Sequence, residues 1–173
     1  MQGRPRRSVL YMPGSNERAL EKARSLPADA LIFDLEDAVA PDAKPLAREK
    51  VCDAVKSGGY GGREIVIRIN ALETPWGTED LIAACEARPH AILVPKVAHP
   101  GDIISVAKIL QGMHAPDDIS LWAMMETTRA PSRPLLSMQR IASAASSWEP
   151  TICSRNRAPA RYIIASLSCR GSP

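Results

Sequence analysis

Charged and amide side chains stand at or just past the ends of four apolar segments, where they could converge on one ligand. This set carries both charge signs and consists of Asp34, Glu36, Asp37, Arg68, Asn70, Lys96 and Glu126. An arginine in such a set offers a planar fork of donors to a carboxylate. Each member taken alone could also be an ordinary polar residue where a strand meets solvent. The set as a whole favours a binding or active site.

The apolar segments predict five strands, and the stretches between them predict four helices. The strands are residues 8–13, 30–34, 64–70, 91–95 and 119–125, and the helices are a short one capped by Ser15, then about 45–56, 78–87 capped by Thr78, and 102–110. Strands that are apolar throughout, rather than alternating, indicate a parallel sheet covered by helices. Their spacing suits a (β/α)8 barrel or an open doubly wound sheet. In a barrel, the polar set lies at the carboxyl edge, which is the active-site face.

Composition excludes several classes of protein. No segment approaches the roughly 20 consecutive apolar residues that span a bilayer, and the apolar run Val9–Met12 is too short for the core of a signal peptide. We therefore expect a cytoplasmic protein without a membrane partner. The four cysteines form no CxxC pair and histidine is scarce, so no zinc site is expected. No GxGxxG follows the first strand, which weighs against a dinucleotide-binding domain.

The charge distribution divides the chain near residue 130. Residues 1–129 contain 16 Lys+Arg and 18 Asp+Glu, a balance of −2, whereas residues 130–173 contain six Arg, no Lys and one acid, a balance of +5. Nine Ser and five Pro also lie in this last part. We predict an α/β domain over residues 1–130 and a basic, aberrant or disordered tail over 131–173. Nucleic-acid binding by the tail is not expected, because Tyr162 is the one aromatic directly beside an arginine of the tail and no folded motif accompanies the arginines.

Six short runs, in order and each at a βα junction, resemble the citrate lyase β-subunit-like (HpcH/HpaI aldolase) family over about residues 6–130. They are Arg7–Gly14, Leu35–Pro41, Lys44 with Ala47 and Arg48, Ile67–Asn70, Val94–Lys96, and Met125–Thr127. The resemblance implies an α/β fold, an incomplete TIM (β/α)8 barrel of about five βα units. It also implies a homo-oligomer when full-length, Mg²⁺ as cofactor, and cleavage or formation of carbon–carbon bonds in 3-hydroxyacyl thioesters such as citryl- or malyl-CoA. The partners are then an acyl-CoA or acyl-carrier thioester and a 2-oxo acid.

The resemblance also implies roles for individual residues. Arg68 binds the carboxylate of the oxo acid and Glu126 is a Mg²⁺ ligand, so both are predicted catalytic and substrate-binding residues. Asn70, Asp37 and Lys96 are predicted to bind substrate as well. The alternatives are a salt bridge from Arg68 to Asp34 or Glu36 across neighbouring strands, and a solvated acid at a helix N-terminus for Glu126. A chain with these binding residues but no turnover would be a non-catalytic acyl-CoA or oxo-acid binding protein.

A second metal-ligand segment of the family, Gly-Thr-Asn-Asp, does not follow Glu126 in this sequence. Permitted codons for Trp148–Arg157, read from the third base of the tryptophan codon, encode Gly-Thr-Asn-Asp-Leu-Leu-Lys-Glu-Ser. We therefore predict a single-base shift between about residues 129 and 147, which also accounts for the composition of the tail.

DNA sequencing from the Met125 codon to beyond the Pro173 codon tests this hypothesis. We expect one inserted or deleted base to restore a frame carrying Gly-Thr-Asn-Asp and three further βα units. Codons that do not encode this segment in the shifted frame would refute the hypothesis, and the binding-protein alternative would then gain weight.

Overall fold

The computed structural model describes residues 6–116 and 118–125, together with the backbone of 148–153 and 163–169. The chain divides into two compact units, Met1–Ile92 and Leu93–Pro173. Strands and helices alternate through β5: β1 (Val9–Pro13), α1 (Glu17–Lys22), β2 (Ala30–Asp34), α2 (Lys44–Ser57), β3 (Glu64–Arg68), α3 (Gly77–Ala87), β4 (Ala91–Val94), α4 (Pro100–Gly112) and β5 (Ser120–Met125). Two short 3-10 turns, Ala23–Ser25 and Pro41–Ala43, lie beside α1 and α2. The predicted α/β class is confirmed.

In the first unit, β1, β2 and β3 form a parallel ladder whose register brings the carboxyl ends of the strands together. Pro13 of β1 pairs with Asp34 of β2, and Asp34 pairs with Arg68 of β3. The central strand β2 is buried at all five positions, which explains why its sequence is apolar up to the terminal Asp34. The ring of Phe33 packs edge-to-face on Tyr60 at 5.2 Å between centroids.

Helices α2 and α3 cover the first unit with small and aliphatic side chains. Ala47 and Val51 of α2 and Leu81 and Ala84 of α3 are all completely buried. Small residues let the two helices approach the sheet closely, and a close approach also requires Gly14 after β1. A Cβ at Gly14 would lie 2.7 Å from the carbonyl oxygen of Asp34, which itself accepts a hydrogen bond from the Gly14 amide.

The second unit contains α4, β5 and two strands within the range predicted as a tail, β6 (Trp148–Cys153) and β7 (Ile163–Cys169). β7 pairs antiparallel with β5, and β6 pairs antiparallel with β7. Neither pairing continues the βα alternation of the earlier chain. The structural division at residue 92 differs from the boundary predicted at residue 130, which stays a prediction.

Two predicted helix caps are wrong. The side chain of Asn16, not Ser15, caps α1 by accepting a hydrogen bond from the amide of Ala19 at 3.1 Å. Helix α3 begins at Gly77, so Thr78 lies inside the helix rather than before it. The Ser15 error arises because serine and asparagine both serve as caps and only the local backbone path selects between neighbours, whereas α3 begins after Trp76 with no side-chain cap.

The two cysteines whose side chains the structure describes are buried and form no disulfide. Cys52 and Cys85 are both free thiols, and burial raises the pKa of Cys52 to about 11. A thiol of this kind is a small apolar core residue rather than a nucleophile. In the described part of the chain, no helix has the length and hydropathy needed to cross a bilayer.

Candidate active site

The carboxyl ends of β2 and β3 hold a buried ion pair between register partners. The Nε of Arg68 donates to Oδ1 of Asp34 at 2.7 Å, and the Nη2 of Arg68 donates to Oδ2 of the same carboxylate. Both residues are at most 5% exposed. This two-point contact matches the planar guanidinium to the carboxylate and fixes the orientation of Arg68. The salt bridge that the sequence left as an alternative for Arg68 is therefore present.

Two further acids lie beside the remaining terminal nitrogen of Arg68. Oε2 of Glu36 is 3.0 Å from Nη1, and Oδ2 of Asp37 is 3.5 Å from the same atom. The Glu36 side chain is buried, whereas that of Asp37 is 63% exposed. Asp34 also shapes the acidic segment, residues 34–38. Its carboxylate accepts hydrogen bonds from the amides of Glu36 at 2.8 Å and Ala38 at 3.1 Å.

The charge of Arg68 is stabilised strongly by these neighbours. Burial alone lowers the pKa of Arg68, but hydrogen bonds to Asp34 and the charges of Asp34 and Glu36 raise the pKa above the ordinary arginine value. The aromatic ring of Tyr11 lies 5.3 Å from the guanidinium carbon and adds a cation–π contact. Arg68 is thus a permanent, oriented positive charge at the strand ends.

Lys44, at the start of α2, fastens the backbone of the acidic segment. Its Nζ donates to the carbonyl oxygens of Leu35 at 2.9 Å and Glu36 at 2.8 Å, and to Oδ1 of Asn70 at 2.7 Å. The pKa of Lys44 is lowered because burial penalises the ammonium form, although the surrounding carboxylates act in the opposite direction. The sequence showed Lys44 only as part of a family run and gave no role, since its contacts join residues up to 26 positions away.

Asn70 and Asp80 connect this segment to α3 and α2. The amide nitrogen Nδ2 of Asn70 donates to Leu35 O at 2.8 Å and to Oδ2 of Asp80 at 2.6 Å. Oδ1 of Asp80 accepts a hydrogen bond from Nε of Arg48 at 2.7 Å. Asp80 is completely buried, and the sequence did not single it out because acids such as Glu79 and Asp80 are ordinary in the first turn of a helix and carry no signal of a further function. The side-chain oxygen and nitrogen of Asn70 are both hydrogen-bonded to protein groups, so these contacts indicate that Asn70 positions the backbone of the acidic segment.

The predicted site residues are thus distributed unevenly. Arg68, Asp37 and Asn70 lie in the first unit around the ends of β2 and β3. Lys96 belongs to the second unit and has a positive φ of 53°, a left-handed conformation that is uncommon for lysine. Glu126 lies outside the described residues. Substrate binding by Asn70, Asp37 and Lys96, and catalysis by Arg68 and Glu126, stay predictions.

The residues that the structure describes do not fit a Mg²⁺ site. No group of three or more histidine, cysteine or acidic side chains among them could hold a metal ion. Asp34 and Glu36, the buried acids at the strand ends, face the guanidinium of Arg68 instead. Mg²⁺ prefers carboxylate and water oxygens in an octahedron, and a cation already occupying the acids opposes a second cation. The prediction of Mg²⁺ therefore rests on Glu126.

Residues 7–147 match the HpcH/HpaI aldolase/citrate lyase family. This chain belongs to that family. The matched range includes Arg68, the three acids around it and every predicted site residue, so the resemblance seen in the short runs is confirmed.

Relatives within the family include more than one kind of enzyme. The chain is 51% identical over 128 residues to a (3S)-malyl-CoA thioesterase of Cereibacter sphaeroides, a match that covers 74% of this chain and 43% of the relative. It is 38% identical over 105 residues to the citrate lyase subunit beta of Escherichia coli, with 61% of this chain and 35% of the relative covered. This chain therefore spans less than half the length of the curated relatives it matches.

A solved structure also resembles this chain. The CitE protein of Mycobacterium tuberculosis in complex with magnesium, acetoacetate and coenzyme A matches with a TM-score of 0.57 and 27% identity, covering 73% of this chain and 42% of that one. The prediction of a partial fold of the citrate lyase β-subunit type is confirmed by this likeness.

Asp80 and Glu79 both contact Arg48, and their different burial predicts that replacing them has unequal effects on stability. Replacing the buried carboxylate in Asp80→Asn leaves Arg48 without its buried counter-ion, and we expect the free energy of unfolding to fall by about 3 kcal/mol. Glu79 is 68% exposed and lies 2.8 Å from Nη1 of Arg48, so Glu79→Gln is the matched control and should cost less than about 1 kcal/mol. Denaturant unfolding measures both, and equal losses would contradict the network.

Proposed function

We propose that this chain carries the oxo-acid-binding part of an enzyme that breaks or forms a carbon–carbon bond in 3-hydroxyacyl thioesters of the citryl-CoA or malyl-CoA type. The observation that supports this most is the oriented, permanently charged Arg68 at the ends of parallel strands, in a chain of the citrate lyase family. Such a group is suited to hold a substrate carboxylate.

Cleavage places a specific demand on the protein. The bond between the hydroxyl-bearing carbon and the α-carbon of the thioester breaks, its electron pair forms a thioester enolate, and the hydroxyl group loses its proton to become the carbonyl of a 2-oxo acid. A guanidinium that binds the neighbouring carboxylate fixes this half of the substrate and offsets negative charge close to the reacting atoms. Arg68 has the charge and the fixed orientation for this function, and Tyr11 lies against its guanidinium.

Mg²⁺ dependence forms part of the proposal on different grounds. The support comes from the magnesium in the Mycobacterium tuberculosis structure and from Glu126, which follows β5 in the sequence. The described residues around Arg68 contribute charge and position instead. Binding of acyl-CoA is proposed on the same likeness, since that structure also contains coenzyme A.

Thioester hydrolysis is the second candidate, because a relative with 51% identity is a (3S)-malyl-CoA thioesterase. The two reactions break different bonds of the same substrate. Carbon–carbon cleavage of malyl-CoA leaves the thioester intact as acetyl-CoA and yields glyoxylate, whereas hydrolysis leaves the four-carbon acid intact and yields the free thiol of CoA.

Product analysis with (3S)-malyl-CoA and Mg²⁺ separates these candidates. If the chain turns over this substrate, we expect glyoxylate and acetyl-CoA without free thiol, and we expect Arg68→Lys, which keeps the charge but loses the planar fork, to lower kcat/KM by about 100-fold. Asp42→Asn, an exposed acid on the 3-10 turn before α2, is the control and should leave the rate unchanged. Release of thiol would favour the thioesterase, and binding without either product would favour the non-catalytic binding protein.

A further inference from the structure

We infer that Asp37 is the displaceable counter-ion of Arg68, whose place on the guanidinium a ligand carboxylate takes when it binds. This inference rests on the proposed function and deepens it, because it states how an arginine already paired in the protein accepts a substrate. It gives Asp37 a role opposite to the predicted one, since Asp37 competes with substrate rather than holding it.

The donors of Arg68 fall into two groups with different partners. Nε and Nη2 face Asp34, a carboxylate that is 1% exposed and that also accepts two backbone amides. Withdrawing Asp34 would leave the buried amide of Glu36, and the Nε and Nη2 donors of the buried guanidinium, without the acceptor they face, which is costly. The fork between Arg68 and Asp34 is therefore a permanent contact that orients the guanidinium.

Nη1 faces the two other acids, and these differ in how easily they can leave. The Glu36 side chain is 6% exposed and 3.0 Å from Nη1, and the backbone of Glu36 is fastened by Lys44 and Asp34. The Asp37 side chain is 63% exposed and its oxygen is 3.5 Å from Nη1. A long, solvated ion pair contributes little, so Asp37 is the partner with the smallest cost of displacement.

The exchange preserves the charge balance of the cluster. A ligand carboxylate that replaces Asp37 puts one negative charge on Nη1 where another stood, and the Asp37 side chain turns into solvent, where it is well hydrated. Three carboxylates already surround one guanidinium, so a ligand that added its charge without displacing an acid would meet repulsion from all three. Displacement moves the Asp37 carboxylate away from the ligand and so removes its share of that repulsion.

Isothermal titration of the full chain with pyruvate, a stable 2-oxo acid, tests the inference. Asp37→Asn removes the competing charge, and we expect pyruvate to bind about two- to fivefold more tightly than to the wild type. Asp37→Glu retains a carboxylate and should bind like the wild type. Asp42→Asn removes one negative charge from the exposed surface five residues away and should also bind like the wild type, which separates displacement from a change in overall charge.

The possible outcomes distinguish this inference from the function it rests on. Binding to Asp37→Asn that equals or falls below wild-type binding, while Arg68→Lys weakens binding, would overturn the displacement and leave the proposed function intact. Equal binding to all variants including Arg68→Lys, or no binding even to Asp37→Asn, would overturn both. Thermal unfolding followed by circular dichroism confirms that Asp37→Asn is folded, as expected for a largely exposed side chain.

Discussion

A guanidinium buried at the end of a strand must have acceptors in fixed positions, because an uncompensated charge away from water costs several kcal/mol. Arg68 meets this requirement through Asp34, its register partner on the neighbouring strand. The parallel pairing of β2 and β3 therefore does more than build a sheet, since a shift of one residue would separate the two charges. The same carboxylate accepts hydrogen bonds from the amides of Glu36 and Ala38, so it also fixes the backbone path of the acidic segment.

A second buried network supports the first from the helical side. The ammonium of Lys44 donates hydrogen bonds to two backbone carbonyl groups of the acidic segment and to Asn70. Asn70 in turn donates a hydrogen bond to Asp80. Arg48 completes the chain of contacts on α2. The side-chain polar atoms of Lys44, Asn70 and Asp80 are all hydrogen-bonded within the network, which is the condition under which buried polar networks rigidify a site rather than weaken it, whereas Nη2 of Arg48 has no hydrogen-bond partner among the described residues. The charged edge of the first unit is thus preorganised before any ligand arrives.

Much of this could be predicted from the sequence, and the remainder shows where such prediction ends. The apolar runs within residues 30–34 and 64–70 predicted both strands and the convergence of charges at their ends, because strand period and burial are local properties, although β3 itself ends at Arg68. The salt bridge of Arg68 was one of two stated interpretations. The parts played by Lys44, Asn70 and Asp80 could not be predicted, since they depend on how α2 and α3 pack against the strand ends. The strands β6 and β7 were also not foreseen in a segment whose composition suggests a tail.

The chain belongs to the HpcH/HpaI aldolase/citrate lyase family, and a solved structure that resembles it contains magnesium, acetoacetate and coenzyme A. The chain spans less than half the length of the curated relatives it matches, and the part of the reaction proposed for it is the binding of a substrate carboxylate. A binding arginine that is paired in advance has a useful property. It remains charged and oriented at all times, and it exchanges one acceptor for another without exposing a bare charge.

The pairing of Arg68 with Asp34 orients the guanidinium on which the whole site depends, and a double-mutant cycle measures the strength of this pairing. Free energies of unfolding are determined for the wild type, Asp34→Asn, Arg68→Gln and the double variant. A buried, two-point ion pair predicts a coupling energy of about 2–5 kcal/mol, with each single substitution costing nearly as much as the double one. A coupling energy below about 1 kcal/mol, typical of exposed ion pairs, would contradict the account.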